Sequence, residues 1–342
     1  MSSFVSLAFV SAALLATGGA LVAQPPPNQD QAQAQPQTPT FKSNVELVNI
    51  LFTVKTKKGQ LIPNLEQKDF TVYEDGKQQT IQHFSRETDL PLTLGLLIDI
   101  SASQERLVDI EREAAAAFFS SVIRQKDEAF LISFGKSTDL LQDYTNSPRL
   151  LTAALQDLRP DGQTPMVGRI PVSSGPVPTM GTPKGTLLYD AVYLASNEKL
   201  KSEVGRKAII LITDGDDQGS FYDRGAAIEA AQKSDAIIYS IYYVDHGFYA
   251  AAGMGFGGGG EGELRKMSEE TGGHVFSVGR KHPLDEVFKE IQDELRNQYS
   301  IGYESTNPKR DGSFRHIDIK VDNTDYHVQA RSGYYATPGD EQ

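Results

Sequence analysis

Two short stretches place oxygen-bearing side chains directly after apolar runs. The stretch DISAS carries Asp99, Ser101 and Ser103 at alternate positions, and the stretch ITDGDD carries Asp214. Alternate side chains at the end of a strand can point to one position. Carboxylate and hydroxyl oxygens suit a hard cation, Mg²⁺ first, with Mn²⁺ or Ca²⁺ as alternatives. Taken alone, DISAS is equally compatible with a serine that caps the following helix.

The second aspartate favours the metal interpretation. If the strand at 207–213 lies next to the strand at 92–100, Asp99 and Asp214 meet at one edge of the sheet, and their charges repel unless a cation lies between them. Thr186 stands at the start of a helix, where it is either an N-cap or a further oxygen ligand. We therefore predict a cation site of five residues: Asp99, Ser101, Ser103, Thr186 and Asp214.

Asp190 lies one helical turn after Thr186. From there its carboxylate could orient the site from outside the ligand shell, although an exposed helix acid is an equally good interpretation. The same helix follows a Pro- and Gly-rich loop at 160–185, which is longer than a compact domain normally leaves without structure. A glycine-rich loop at 250–262 lacks the Gly-Lys-Ser/Thr ending of a phosphate-binding loop.

Strands and helices alternate along the middle of the chain, which predicts an α/β fold with a doubly wound, mostly parallel sheet. Ligands bind such sheets at the carboxyl ends of the strands, where DISAS and ITDGDD stand. The apolar runs predict strands at 92–100, 129–135, 207–213, 236–244 and 274–278. Helical periodicity predicts helices after DISAS and at 148–158, 186–200, 223–235, 263–271 and 283–298.

The segments on either side of this α/β region have β character. Asp75-Gly76 separates two strand-like runs and predicts a hairpin, and three further strand-like runs follow residue 298. Because neither set alone would make a stable sheet, we predict that the segments 43–89 and 299–336 pair into a small β-sandwich. The α/β domain, 90–298, is then inserted between them.

The amino terminus predicts export. Residues 4–22 are apolar and small, which is typical of a signal peptide spanning 1–23, and an uncleaved membrane anchor is the alternative. The Gln- and Pro-rich tract at 24–42 is expected to be a linker. No later segment is apolar enough to cross a bilayer, so the mature chain is expected to lie in the periplasm, at the cell surface or outside the cell.

Composition argues against several classes of function. The net charge of −12 disfavours nucleic acid as a partner, because a polyanion repels phosphate backbones. The absence of cysteine excludes thiolate nucleophiles and zinc–thiolate sites. The six histidines show no HExxH pattern, which disfavours a zinc hydrolase, and the chain contains no GxSxG motif and no obvious Ser/His/Asp order of a serine hydrolase.

LLIDISAS, GTLLYDAV and LITDGDD resemble the three pieces of the metal-ion-dependent adhesion site of von Willebrand factor A domains. The resemblance covers about residues 90–298, and the flanks resemble those of exported acidobacterial proteins related to this family. It implies that the hydroxyls of Ser101, Ser103 and Thr186 contact the metal, while Asp99 and Asp214 act directly or through water.

The resemblance further implies a non-enzymatic binding protein whose metal binds an acidic group on a protein partner, such as an extracellular or envelope protein. One alternative is a structural scaffold of an extracytoplasmic complex with an unused metal site. The other is a Mg²⁺-dependent phosphotransferase of the haloacid dehalogenase type, which wants a second aspartate two positions after the first, where this chain has Ser101.

Overall fold

A computed structural model describes residues 47–86, 90–161, 166–167, 170–171, 185–251 and 259–337. The predicted signal peptide (1–23) and linker (24–42) lie outside the described residues, as do most of the loops at 160–185 and 250–262. No helix of the described part is long and apolar enough to cross a membrane.

The amino-terminal segment forms four strands, and a turn of 3-10 helix at Gln67–Asp69 precedes the second. They are β1 (Leu47–Thr56), β2 (Phe70–Glu74), β3 (Lys77–Gln79) and β4 (Ile81–Arg86). The predicted hairpin is confirmed, because Glu74 pairs with Lys77 across Asp75 and Gly76. Both turn residues have positive φ, 47° and 78°, as the tight two-residue hairpin turn requires.

The α/β region follows in chain order. Its first half comprises β5 (Leu92–Asp99), α1 (Val108–Val122), β6 (Glu128–Phe134), β7 (Thr138–Thr145), α2 (Pro148–Leu155) and the short pair β8 (Met166–Val167) and β9 (Ile170–Pro171). Its second half comprises α3 (Leu188–Leu194, continued by a π-helical stretch Ala195–Leu200), β10 (Arg206–Thr213), α4 (Arg224–Lys233), β11 (Ala236–Tyr242), α5 (His246–Ala251), α6 (Gly260–Thr271), β12 (Val275–Ser277) and α7 (Leu284–Arg296).

A six-stranded sheet with the order β12-β11-β10-β5-β6-β7 forms the centre of this region. Neighbouring strands pair in parallel from β12 to β6, and only β7 is antiparallel. One apolar layer joins the sheet to α1, α2 and α7, and a second joins its other face to α3, α4 and α6. The predicted doubly wound, mostly parallel sheet is therefore confirmed.

The carboxyl-terminal strands are β13 (Tyr299–Glu304), β14 (Phe314–Val321), β15 (Tyr326–Ala330) and β16 (Gly333–Tyr335). Two antiparallel sheets result, with the orders β15-β1-β13-β4 and β16-β14-β2-β3, so each sheet mixes strands from both ends of the chain. Phe52, Phe70 and Tyr299 pack their rings between the sheets at centroid distances of 5.2–5.8 Å. The predicted sandwich of both flanking segments is confirmed.

A buried polar cluster also ties the two ends of the chain together inside the sandwich. Glu74 is 2% exposed and accepts hydrogen bonds from Tyr303 at 2.9 Å and Tyr334 at 3.0 Å. Ser305 donates to the same carboxylate at 2.5 Å, and Arg315 lies 3.4 Å from it. Because a buried charge is tolerated only when it is paired and hydrogen-bonded, this cluster should fix the pairing of β2 with β14.

A second buried ion pair joins the sandwich to the α/β region. Lys55 Nζ on β1 donates to Glu294 Oε1 on α7 at 2.7 Å, and the two side chains are 14% and 4% exposed. Burial raises the pKa of Glu294 to about 7, although Lys55 acts in the opposite direction. Burial also lowers the pKa of the neighbouring His274 to about 3, with a further contribution from Lys55.

Candidate metal centre

Asp99 and Asp214 lie side by side at the carboxyl edge of the central sheet. β5 and β10 pair in parallel with Ile98 opposite Ile212, so Asp99 ends one strand next to Thr213, and Asp214 follows directly. Thr213 Oγ1 donates to Asp99 Oδ2 at 2.5 Å, which confirms the contact between the two strand ends. The predicted proximity required β5 and β10 to be neighbours, and they are.

The carboxylate of Asp99 is held in place from two sides. Besides the bond from Thr213, the backbone N–H of Ser101 donates to Asp99 Oδ1 at 2.8 Å. The residue is 0% exposed. Burial and the charge of Asp214 raise its pKa to about 7, against the effect of the hydrogen bonds from Thr213 and Ser101. A cation next to this carboxyl would favour its charged form.

Glu111 on α1 is a third buried carboxyl, and the charges of Asp99 and Asp214 act on it. It is 0% exposed, and neither of its oxygens has a hydrogen-bond partner among the described residues. Burial, followed by the charges of Asp99 and Asp214, raises its pKa well above the usual range. Two buried carboxyls with raised pKa values, Asp99 and Glu111, together with the charge of Asp214, make an environment that a divalent cation would stabilise.

The hydroxyl groups of DISAS are directed to each other rather than to the helix. Ser101 Oγ lies 3.1 Å from Ser103 Oγ. Helix α1 begins only at Val108, and its N-cap position is occupied by Leu107 without a side-chain cap. The helix-cap alternative for the two serines is thus not what the structure shows.

Thr186 lies at the same edge of the sheet. Its carbonyl oxygen accepts from Gln218 N–H at 2.8 Å, which ties it to the loop that follows Asp214. The next residue, Leu187, donates to Gly135 O at 2.9 Å, directly after the end of β6. The side chain of Thr186 is 5% exposed, and α3 has no side-chain cap from its own N-cap residue. An N-cap role for Thr186 is therefore not observed.

Helix α3 is instead capped by the loop that follows Asp214. Ser220 Oγ accepts from the backbone N–H groups of Tyr189 and Asp190, both at 3.1 Å. In return, Asp190 Oδ1 accepts from the N–H groups of Phe221 at 2.8 Å and Tyr222 at 2.9 Å. Asp190 thus fastens α3 to this loop, and its predicted influence on the metal site would act through that attachment.

The structure therefore places all five predicted ligands at one edge of the sheet, and their binding of a metal stays a prediction. Sequence reasoning missed two residues of the site, Glu111 and Tyr249. Glu111 had a signal, because it occupies a position of the buried stripe of α1 that apolar residues otherwise fill. Tyr249 had none, since its contacts depend on how α5 folds back onto the sheet edge.

Comparisons with known proteins gave structures but no sequence relatives. No family model matches the chain, and no curated protein matches it. Proximal thread matrix protein 1 from the mussel byssus is similar at 13% identity and a TM-score of 0.43, over 62% of this chain and 50% of that chain. The chain thus matches half the length of that protein. A further structure of it carries a zinc-occupied MIDAS motif.

Two bacterial structures are also similar to this chain. The von Willebrand factor type A protein from Catenulispora acidiphila is 12% identical with a TM-score of 0.44, over 88% of this chain and 76% of that chain. BatB from Bacteroides thetaiotaomicron is 16% identical with a TM-score of 0.42, over 60% and 97%. At these identities the likenesses are likenesses of fold alone. In the α/β region, DISAS and Asp214 follow the adjacent strands β5 and β10.

Proposed function

We propose that the chain is an exported, non-enzymatic binding protein that uses a divalent cation to bind an acidic group on a protein partner. The cation, Mg²⁺ in the first place, would be held by Asp99, Ser101, Ser103, Thr186 and Asp214. The observation that carries the proposal is the meeting of Asp99 and Asp214, 0% and 1% exposed, whose charges both act on the buried carboxyl of Glu111. Such a group of acids is expected to need a cation.

The donor set fits a cation that stays available to a partner. Three of the five proposed ligands are neutral hydroxyls, so much of the positive charge of a bound ion would remain uncompensated. Bound Mg²⁺ keeps exchangeable positions in its oxygen shell and would supply an electrophilic position for an incoming carboxylate. The chain's own residues orient this shell: Thr213 and Ser101 N–H fix Asp99, and Gln218 N–H fixes the backbone of Thr186.

The phosphotransferase alternative has less support. A phosphotransferase of the haloacid dehalogenase type uses an aspartate nucleophile with a second aspartate two positions after it. The position two residues later is Ser101, which cannot serve as the acid that this chemistry requires. We therefore propose binding rather than catalysis for this site.

A peptide-display selection tests the proposal without a known partner. The full-length mature protein is immobilised and presented with random peptides in Mg²⁺, and bound peptides are eluted with EDTA. We expect enrichment of peptides that contain Asp or Glu. The enrichment should be lost with Asp99→Ala and kept with Asp157→Ala, which removes an exposed carboxylate after α2. Selection of acidic peptides that persists in EDTA would contradict the proposal.

The scaffold alternative makes a different prediction in the same selection. If the metal site is occupied but unused, Mg²⁺ still binds the protein, yet EDTA elutes no acidic peptides. Export is tested separately, by fractionating cells and determining the amino terminus of the mature chain, which we expect within the tract that follows residue 23.

A further inference from the structure

Tyr249, on the short helix α5, connects two acidic residues at the sheet edge. Its hydroxyl lies 2.9 Å from Asp214 Oδ2 and 3.2 Å from Asp216 Oδ2. Tyr249 is 6% exposed and Asp214 1%, whereas Asp216 is only partly buried. Because a phenol carries one proton, it can donate to only one carboxylate at a time, and the two acids share the donor.

The hydroxyl of Tyr249 contacts Asp214, the residue directly after β10 that we assign as a cation ligand. Asp214 Oδ1 accepts only a long bond, 3.4 Å, from Asp216 N–H. The bond from Tyr249 is therefore the shorter of the two that fix the orientation of this carboxylate. Partners that orient a ligand from behind have large effects on metal affinity, typically ten- to a hundredfold.

Helix α5 is itself anchored to the rest of the site. Asp245 Oδ1 accepts from the N–H groups of Gly247 at 2.8 Å and Phe248 at 3.2 Å, which begins the helix at the end of β11. Asp245 Oδ2 lies 3.7 Å from Arg106 Nε, just after DISAS. Tyr243 N–H, further, donates to Thr213 O at 3.1 Å. These contacts tie the turn that leads into α5 to the end of β10 and to the segment that follows DISAS.

We infer that Tyr249 is a positioning residue of the cation site: its hydroxyl orients Asp214 as a ligand and holds Asp216 beside it as an outer carboxylate. The inference rests on the proposed function, since it requires that the site binds a cation. Helix α5, which carries Tyr249, would then line one side of the cation site. Tyr249 would not touch the metal itself.

The chain provides a matched control for the loss of this hydroxyl. Tyr189 is a partly buried tyrosine whose hydroxyl donates to Glu263 Oε2 at 2.9 Å, and Glu263 is not one of the five predicted ligands. Tyr249→Phe and Tyr189→Phe therefore each remove one phenol–carboxylate hydrogen bond of the same length. Only the first bond involves a predicted metal ligand.

The test is calorimetric titration of Mg²⁺ and Mn²⁺ into the metal-free full-length protein, with the melting temperature in EDTA measured alongside. We expect Tyr249→Phe to weaken the affinity about tenfold, and Tyr189→Phe to leave it within about twofold. Both variants should lower the melting temperature in EDTA to a similar extent. Asp216→Asn, which keeps the phenol, should also weaken the affinity.

Two results would overturn the inference. If Tyr249→Phe binds both ions with the affinity of the wild type, the hydroxyl does not position a ligand. If Tyr189→Phe loses as much affinity, the effect is a general loss of structure. A wild-type protein that binds neither ion would instead refute the proposed function, and the inference with it.

Discussion

Replacing Asp99 with Asn should stabilise the metal-free protein, although it removes a proposed metal ligand. The two side chains have the same shape, and Asn keeps an oxygen for the bond from Ser101 N–H. The variant removes the carboxyl that burial and Asp214 disfavour in its charged form. The same substitution should abolish the stabilisation of the protein by Mg²⁺. Asp99 would then be a residue that binds the ion and lowers the stability of the metal-free fold.

The magnitude follows from the pKa of Asp99, which rises from 3.8 to about 7 on folding. Each unit corresponds to about 1.4 kcal/mol, so the carboxyl costs about 4 kcal/mol of the free energy of unfolding above pH 7. The Asn amide would meet the hydroxyl of Thr213, which donates to the wild-type carboxylate, and losing that bond costs about 1 kcal/mol. The net gain is about 3 kcal/mol, or roughly 6–12 °C in melting temperature.

The raised pKa of Asp99 also determines the direction in which the stability of the wild type changes with pH. Because the pKa of Asp99 is raised in the folded state, the wild type loses this part of its stability as the pH rises from about 4 to about 7. Melting in EDTA at several pH values should therefore show a difference between variant and wild type that grows through this window and then levels off. Asp157→Asn is the control and should show no such difference.

The refuting results are specific. A variant that is no more stable than the wild type at pH 8 in EDTA would show that the carboxyl of Asp99 is not disfavoured in the metal-free fold. A variant that still gains melting temperature on addition of Mg²⁺ would show that the ion binds elsewhere.

Three further predictions concern the framework around the site. Arg315→Met should lower the free energy of unfolding by about 3–5 kcal/mol, measured with urea, because Glu74 stays buried without its partner; an equal effect of Lys57→Met, which breaks an exposed pair, would contradict this. Because the pKa of Glu294 is raised to about 7, the wild type should lose about 3 kcal/mol of its free energy of unfolding as the pH rises from about 4.5 to 7, and Glu294→Gln should abolish this loss. An unchanged pH profile of melting in the variant would refute this. Residues 90–298 expressed alone should resist proteolysis, because both apolar layers of the central sheet lie within them, and a fragment that is digested like an unfolded chain would show that the sandwich is needed for folding.

The sequence predicted the buried strands well because a strand that is covered on both faces consists largely of apolar residues. All eight residues of β5 and all eight of β10 are buried, and each strand contains an apolar run. The edge strand β7 was missed because it is half-exposed and lacks such a run; Leu140, for example, is 47% exposed. Its register against β6 also shifts twice, which breaks any simple alternation.

The sequence predicted the part of the site whose residues follow the buried strands directly. Asp99, Ser101 and Ser103 could be grouped by their spacing, and Asp214 could be added on the condition that β5 and β10 are neighbours. Glu111 and Tyr249 could not be added, because their approach to Asp99 and Asp214 depends on the packing of α1 and on the turn that leads into α5. Contacts between such elements arise from tertiary packing, which local patterns do not encode.

Calorimetric titration of Mg²⁺ into the metal-free wild-type protein tests the central claim most directly. We predict binding of about one ion per chain, and no detectable binding to Asp99→Asn under the same conditions. A wild-type protein that binds no divalent ion, or an Asn variant that binds Mg²⁺ as well as the wild type, would contradict the assignment of this sheet edge as a metal centre.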